Sequence, residues 1–377
     1  MNGLLKIFFL ILFFQLTTET KHPEITRLHQ PSFQEQTEEI IPHYINFNDT
    51  IHSDTLYEYL AKSGFPLMYS RRIPTEVCID DECRPVNIDL YWNNTGRYLG
   101  YKLPEGEFLS KTKHKPFVAE EYDRLHTLLG DPLSALAHYS ISELVKTKDT
   151  TKTGVDAVST ATIAAVMDYI VPGAVYTSYT LWHIVYGETK REIELRTSKK
   201  LNSEQVIKFL NTDALEDKVW VLNHFPKKMQ ISDALLTKLL KLVSGDDIYL
   251  AERALYVIRP EKLTKDVQLQ LIQSFKNSGH LQKKLIADKL KEAPVLAPET
   301  MELLANELEN LNALLVKNVL DLFQNQEVEN MQVNNEVALL LKNDNRYIAS
   351  HAFKFLESRQ MLDKKISKQI NKYQKRN

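Results

Sequence analysis

Two short apolar segments in the second half of the chain decide the fold: Val219-Trp-Val-Leu222, followed by Pro226-Lys227, and Arg253-Ala-Leu-Tyr256, followed by Pro260-Glu261, 34 positions later. The recurrence continues toward the C-terminus. Successive apolar helices have an apolar residue at a similar position, with spacings of 33, 32 and 34 residues: Ala254, Ala287, Val319 and Phe353. Each apolar helix follows another amphipathic stretch, at 235–243, 267–275, 300–308 and 335–341.

A period near 33 residues with two helices per unit predicts an α-solenoid, because one helical pair cannot bury its apolar face alone. An irregular helical bundle with helices of similar length is the alternative. The repeats resemble the HEAT class, and the resemblance implies a HEAT-like all-α domain over 200–377. The polar, basic end of the chain, 364–376, is typical of a capping helix and a solvated tail.

The middle of the chain has a different composition. Eight of its 11 glycines fall between Gly64 and Gly187, which indicates a region rich in turns. The stretch Ile88-Asp-Leu-Tyr-Trp92 predicts a strand, Asn93-Asn-Thr-Gly96 a turn, and Arg97-Tyr-Leu-Gly-Tyr101 a returning strand. A helix is predicted over 120–129, with one apolar face made by Tyr122, Leu125, Leu128 and Leu129. The predicted fold is therefore an α+β domain at 47–195 followed by the all-α repeat domain.

The N-terminal residues have the layout of a secretory signal peptide over 1–20. Lys6 precedes the apolar run 7–14, which is too short for the ~20 residues of a membrane-spanning helix. An N-terminal anchor, or a first helix of the fold, is the alternative. We expect an exported protein, periplasmic or extracellular, with no transmembrane span beyond this segment. Residues 21–46 are rich in Gln, Glu, His and Pro without clear periodicity, and are predicted to be a flexible spacer.

Export determines how the two cysteines are interpreted. Cys78 and Cys83 lie five positions apart, and in an oxidising compartment the expected result is a local disulfide. A redox-active dithiol is the alternative, although the usual C-x-x-C spacing is missing.

Composition and missing motifs exclude several classes of function. A formal net charge of −2 is not that of a nucleic-acid-binding protein. Glycine-rich phosphate loops, G-x-S-x-G and H-E-x-x-H do not occur in the sequence, and no metal site is predicted from histidine or cysteine spacing. Whether the protein is an enzyme stays open at this point.

One stretch carries a possible chemistry: Asp156-Ala157-Val158-Ser159-Thr160-Ala161-Thr162. It resembles the D-x-x-S-G-A-T flavinylation motif of the FMN-binding domain family. The resemblance implies FMN joined through its phosphate to the hydroxyl of Thr162, with Asp156, Ser159 and Ala161 at the other matching positions. Thr160 stands where the family has glycine. The alternative interpretation needs no ligand: Ser159 is then the N-cap of a helix.

An aromatic stripe follows the motif, formed by Tyr176, Tyr179, Trp182, His183 and Tyr186. It could stack on a flavin, but such stripes more often belong to a core helix.

These observations predict an exported, FMN-binding-like electron-transfer accessory protein. Its helical repeats would dock a protein redox partner or envelope complex. The alternative is a non-enzymatic envelope scaffold that has lost the flavin site.

Overall fold

The structure is a computed structural model that describes residues 23–47, 55–75, 86–111, 114–145, 166–167, 170–327, 329–360 and 362–376. The chain divides into two compact units, and the division falls between Glu194 and Leu195. The first unit combines β-strands and helices, and the described residues of the second form helices without strands. The predicted fold class, an α+β unit followed by an all-α unit, is therefore confirmed.

The first unit is built on an antiparallel six-stranded sheet with the strand order β1-β6-β5-β4-β3-β2. A separate short ribbon pairs β7 with β8. The strands are β1 (Ile25–Leu28), β2 (Glu39–Tyr44), β3 (Thr55–Leu60), β4 (Pro66–Thr75), β5 (Val86–Asn93), β6 (Tyr98–Leu103), β7 (Ser110–Lys111) and β8 (Lys115–Pro116).

The central hairpin is the one that the sequence predicts. Strands β5 and β6 pair antiparallel, with Leu90 opposite Tyr101, and the turn between them uses Gly96 at φ +77°. Asn93 organises this turn, because its side-chain oxygen accepts from the backbone N–H groups of Thr95 and Arg97. Local turn chemistry and strand alternation therefore suffice to define the hairpin.

The prediction of a flexible spacer over 21–46 is wrong, because this segment supplies both edge strands of the sheet. Strand β1 pairs with β6, and β2 pairs with β3. His43 of β2 also lies 2.9 Å from a carboxylate oxygen of buried Glu58 on β3. An edge strand buries few side chains and tolerates proline, here Pro42, so its sequence lacks the alternation of a central strand.

Strand β1 approaches β6 closely at Gly100, which faces Leu28 in the register. Gly100 has a φ of +156°, and a Cβ there would lie 1.9 Å from the backbone oxygen of Arg27. Any other residue at this position would push β1 away from the sheet.

Helices complete the core of the first unit: α1 (Ala119–Leu129), α2 (Ile141–Val145), α3 (Val175–Val185) and α4 (Glu188–Lys199), whose last residues lie beyond the division. The prediction for α1 is confirmed, since its buried side chains are Tyr122, Leu125, Leu128 and Leu129. Two hydrogen bonds fix helices to the sheet. Trp92 Nε1 donates to the carbonyl of Val185 at 3.0 Å, and Tyr101 donates to that of Tyr122 at 2.9 Å.

The second unit consists of successive helical pairs and a final helix. The first helices of the pairs are α5 (Ser203–Leu210), α7 (Asp233–Val243), α9 (Lys265–Asn277), α11 (Pro298–Ala305) and α13 (Met331–Leu339). The second helices are α6 (Leu215–Asn223), α8 (Ile248–Val257), α10 (His280–Leu290), α12 (Ala313–Asn325) and α14 (Arg346–Glu357). The chain continues into α15 (Lys364–Arg376), with the bounds expected for the capping helix.

Packing in this unit follows the repeat. First helices contact the first helices of neighbouring pairs, and second helices contact second helices, from α6 and α8 through to α12 and α14. The second helices begin at intervals of 33, 32, 33 and 33 residues. Ala254, Ala287 and Val319 are fully buried in them, as predicted. Phe353 is the exception: Ala352 fills the buried place in α14, and Phe353 instead stacks on Tyr373.

Consecutive repeats are also joined by long polar side chains that reach a loop of the neighbouring repeat. Arg259 donates to the carbonyl of Met229 at 2.7 Å, and Lys289 donates to that of Ile258 at 2.9 Å. In the third repeat, the buried amide of Gln268 makes three hydrogen bonds at 2.8 Å: it donates to the Leu263 and Val295 carbonyls and accepts from the Ala297 N–H. These bonds satisfy loop groups that helices leave unpaired.

Across the described residues, no helix is both long and apolar enough to cross a membrane.

Candidate functional site

The residues of the predicted flavin motif, Asp156, Ser159, Thr160, Ala161 and Thr162, lie outside the described residues, as do Cys78 and Cys83. Covalent FMN at Thr162 and the disulfide therefore stay predictions.

The described residues that follow the motif border a cavity of about 610 Å³ in the first unit. Val166 and Ile170 line it together with Arg124 and Asp131. None of its described lining residues is aromatic, so the described wall offers no ring on which a flavin could stack.

The aromatic stripe belongs to the core helix α3. Trp182 is buried, and its Nε1 donates to the carbonyl of Asp131 at 2.9 Å. The Tyr186 hydroxyl donates to the carbonyl of Leu129 at 2.9 Å, and burial raises the pKa of this phenol. Trp182 and Tyr186 thus fit the interpretation of a core helix whose polar tips find partners, whereas Nε2 of His183 is buried without a hydrogen-bond partner among the described residues.

A histidine pair joins the edge strand β1 to helix α1. The Nε2 atoms of His29 and His126 are 2.9 Å apart, and Nδ1 of His126 lies 3.1 Å from the Tyr98 hydroxyl. Burial lowers the pKa of His126, and nearby His29 and Arg27 lower it further. In this contact one Nε2 donates to the other, and the hydrogen bond is lost when both rings are imidazolium, because each Nε2 is then a donor.

The most regular surface feature of the described chain lies on the second helices of the repeats. Each of them exposes one large apolar side chain at its first or second residue, separated from the next by 34, 32, 33 and 33 positions. We call this set the apolar ladder; its members and their exposed fractions are Leu215 (47%), Tyr249 (66%), Leu281 (60%), Leu314 (73%) and Tyr347 (43%).

The central members of the ladder border two neighbouring grooves. Leu281 and Leu314 border the same groove between α10 and α12, with a volume of about 590 Å³. Leu281 also borders the neighbouring groove, which reaches Ile248 at the start of α8. Because packed helices lie about 8–10 Å apart, successive ladder positions follow one another at about that interval.

A polar network lies one to two turns beyond the ladder. Asp288 accepts from Lys284 at 2.6 Å, from Lys291 at 2.9 Å and from the amide of Asn318 at 3.0 Å, so it links α10 to α12. Burial alone would raise the pKa of Asp288, but the three hydrogen bonds outweigh it and the pKa is lowered. Lys317 makes a similar pair with Asp321 at 2.5 Å. The groove therefore has an apolar edge and a mixed, fixed array of charges beside it.

The sequence-based interpretation missed the ladder, although its signal is present. The apolar residues of each second helix were all assigned to its buried face. The additional apolar residue near each helix start was not distinguished from the buried ones. The repeat spacing of these additional residues, 34, 32, 33 and 33, is the signal that distinguishes them.

Comparison with known proteins adds no family to this description. No protein-family model matches the chain, and no curated protein matches it either.

Proposed function

We propose that this protein is a non-enzymatic binding protein whose all-α unit docks a protein partner along the apolar ladder. The observation that carries the proposal is the recurrence of an exposed, large apolar side chain at the first or second residue of each of five second helices. Scattered exposed leucines are common on protein surfaces. A row that repeats with the structural period and borders a common groove is the pattern of an interaction surface.

The ladder has the spacing of an amphipathic helix. A partner helix rises about 1.5 Å per residue, so apolar side chains seven residues apart are separated by about 10.5 Å, close to the interval between packed helices. Such a helix satisfies its own backbone hydrogen bonds. An extended peptide would need backbone partners from the surface, and the amide of Asn318 in the groove already bonds Asp288 and Lys291.

The decisive experiment places a photo-crosslinking amino acid at Leu281 or Leu314 in the source cells. A matched control carries it at Gln270, which is exposed on the first helix α9. We expect the same partner to be captured from both ladder positions and not from Gln270. Leu281→Asp should remove the crosslink formed from position 314. Equal capture from Gln270, or none from either ladder position, would refute the proposal.

The electron-transfer function stays a separate prediction that is supported by the motif at 156–162. It requires FMN on Thr162 and export of the chain, and both are testable by the mass of the exported protein. The docking proposal does not depend on it, because a scaffold without flavin would use the same ladder.

A further inference from the structure

The last helix, α15, has two chemically distinct faces. Ile366 is buried, Ile370 is half-buried, and Tyr373 stacks on Phe353 with ring centroids 5.2 Å apart. These residues attach the helix to α13 and α14. The other face is exposed and basic: Lys364, Lys365, Lys368, Lys372, Lys375 and Arg376. We call these six residues the basic face.

The charges of the basic face are not compensated locally. The helix contains no acidic side chain, and no ion pair to any of these six cations occurs within the described residues. Lys364, Lys368, Lys372 and Arg376 follow one another at i, i+4 spacing, which places like charges side by side. Lys364 and Lys365 also lie in the first turn, where the helix dipole disfavours cations. Asp363 does cap the helix, accepting from the Ile366 N–H at 2.7 Å.

This arrangement contrasts with the rest of the chain. Six of the 47 basic side chains lie in these 13 residues, while all 49 acidic side chains lie elsewhere. The chain as a whole carries −2, so everything outside α15 is acidic overall. Elsewhere in the second unit lysines are commonly paired, as Lys284 and Lys317 are. The basic face is therefore a local concentration of unpaired positive charge.

We propose that the basic face binds the surface of a bilayer that contains anionic phospholipid. A flat, negatively charged surface needs only one exposed face of the protein, and the basic face presents six exposed cations on one helix. The apolar residues of α15 are used in packing, so the contact is electrostatic and peripheral, without insertion of the helix.

Two features favour lipid over nucleic acid. Five of the six cations are lysines, which act as hydrated point charges, whereas recognition of phosphodiester geometry favours the bidentate guanidinium of arginine. The one aromatic ring of the helix, Tyr373, is stacked on Phe353 and is not presented for base stacking.

The test measures sedimentation of the full chain with vesicles. One set is phosphatidylcholine alone, and the other contains about 30 mol% phosphatidylglycerol, both at about 0.1 M salt. We expect binding to the anionic vesicles only, with release at about 0.5 M salt because the charges are then screened. The variant Lys368→Gln/Lys372→Gln/Lys375→Gln should bind about 100-fold more weakly.

A matched control removes three exposed lysines elsewhere, as Lys227→Gln/Lys228→Gln/Lys241→Gln, with the same change in net charge. It should bind anionic vesicles as the wild type does, and circular dichroism should show that both variants keep their helices. Equal binding to neutral vesicles, an equal loss in the control variant, or displacement from the vesicles by an equal phosphate concentration of duplex DNA would overturn the proposal. The ladder has no part in this test, so its outcome is independent of the docking function.

Discussion

The amide of Gln268 gives the sharpest test of how the helical repeats are joined. The side chain is 1% exposed and makes its three hydrogen bonds, with the Leu263 and Val295 carbonyls and the Ala297 N–H, at 2.8 Å each. Gln268→Leu leaves the buried Leu263 carbonyl and Ala297 N–H without this partner, and also the part-buried carbonyl of exposed Val295, whose loss costs least. Each such group costs about 1–3 kcal/mol. The new apolar burial returns roughly 2 kcal/mol.

The expected net loss from Gln268→Leu is therefore about 3 kcal/mol. For a unit of this size, that corresponds to a melting temperature about 6–12 °C lower. Thermal unfolding followed by circular dichroism at the helix band measures the change. Gln273→Leu is the matched control, because Gln273 lies on the same helix but is exposed, and it should leave the melting temperature unchanged.

A second variant separates hydrogen bonding from packing. Gln268→Glu keeps the shape of the side chain but has no amide donor, and it buries a carboxylate whose pKa burial should raise. Below that raised pKa the protonated acid donates one bond again. The variant should therefore be less destabilised at mildly acidic pH than at neutral pH. A melting temperature for Gln268→Leu within about 1 °C of the wild type would refute the claim that this amide joins neighbouring repeats.

Three further outcomes are expected. Leu281→Asp together with Leu314→Asp should leave the melting temperature within about 4 °C, since each exposed substitution changes stability by about 0.5 kcal/mol or less; a larger drop would place both residues in the core. The lowered pKa of His126 means that the unfolded chain binds a proton before the folded one does. The free energy of unfolding should thus fall as the pH falls below about 6.5, less steeply in His126→Gln, as a urea titration at each pH would show. Intact mass of the exported protein, made with a flavin transferase, should show one FMN less one water in the wild type and none in Thr162→Ala; an unmodified wild type contradicts the flavin prediction.

The sequence predicted those parts of the fold whose information is local. The turn from Asn93 to Gly96 and the apolar face of α1 are each set by residues close together in the chain, and both were predicted correctly. The repeat helices were found for the same reason, because their periodicity recurs at a fixed spacing. The error of one position at Phe353 shows the limit: periodicity alone does not choose between two adjacent apolar residues, whereas packing against α12 and α15 does.

The edge strands show what local information cannot supply. Strand β1 is ordered by pairing with β6, about 75 positions later, and by Gly100, which permits the close approach. Neither condition is visible in residues 25–28. The candidate site could be predicted only in part. Each ladder residue is a recognisable apolar residue in the sequence, but its exposure is known only from the structure, in which most other apolar residues of the helix are buried.

The joining of repeats through neighbouring loops has a consequence for how the protein comes apart. Each repeat is held mainly by the repeats beside it, and among the described residues the pair α13 and α14, with α15, packs against a neighbouring pair, α11 and α12, on one side only. Opening at this end would release the basic face and the ladder position at Tyr347 while the earlier repeats stay folded. A protease that acts on the opened end would therefore yield a shorter protein that has lost the basic face but retains the first four positions of the ladder.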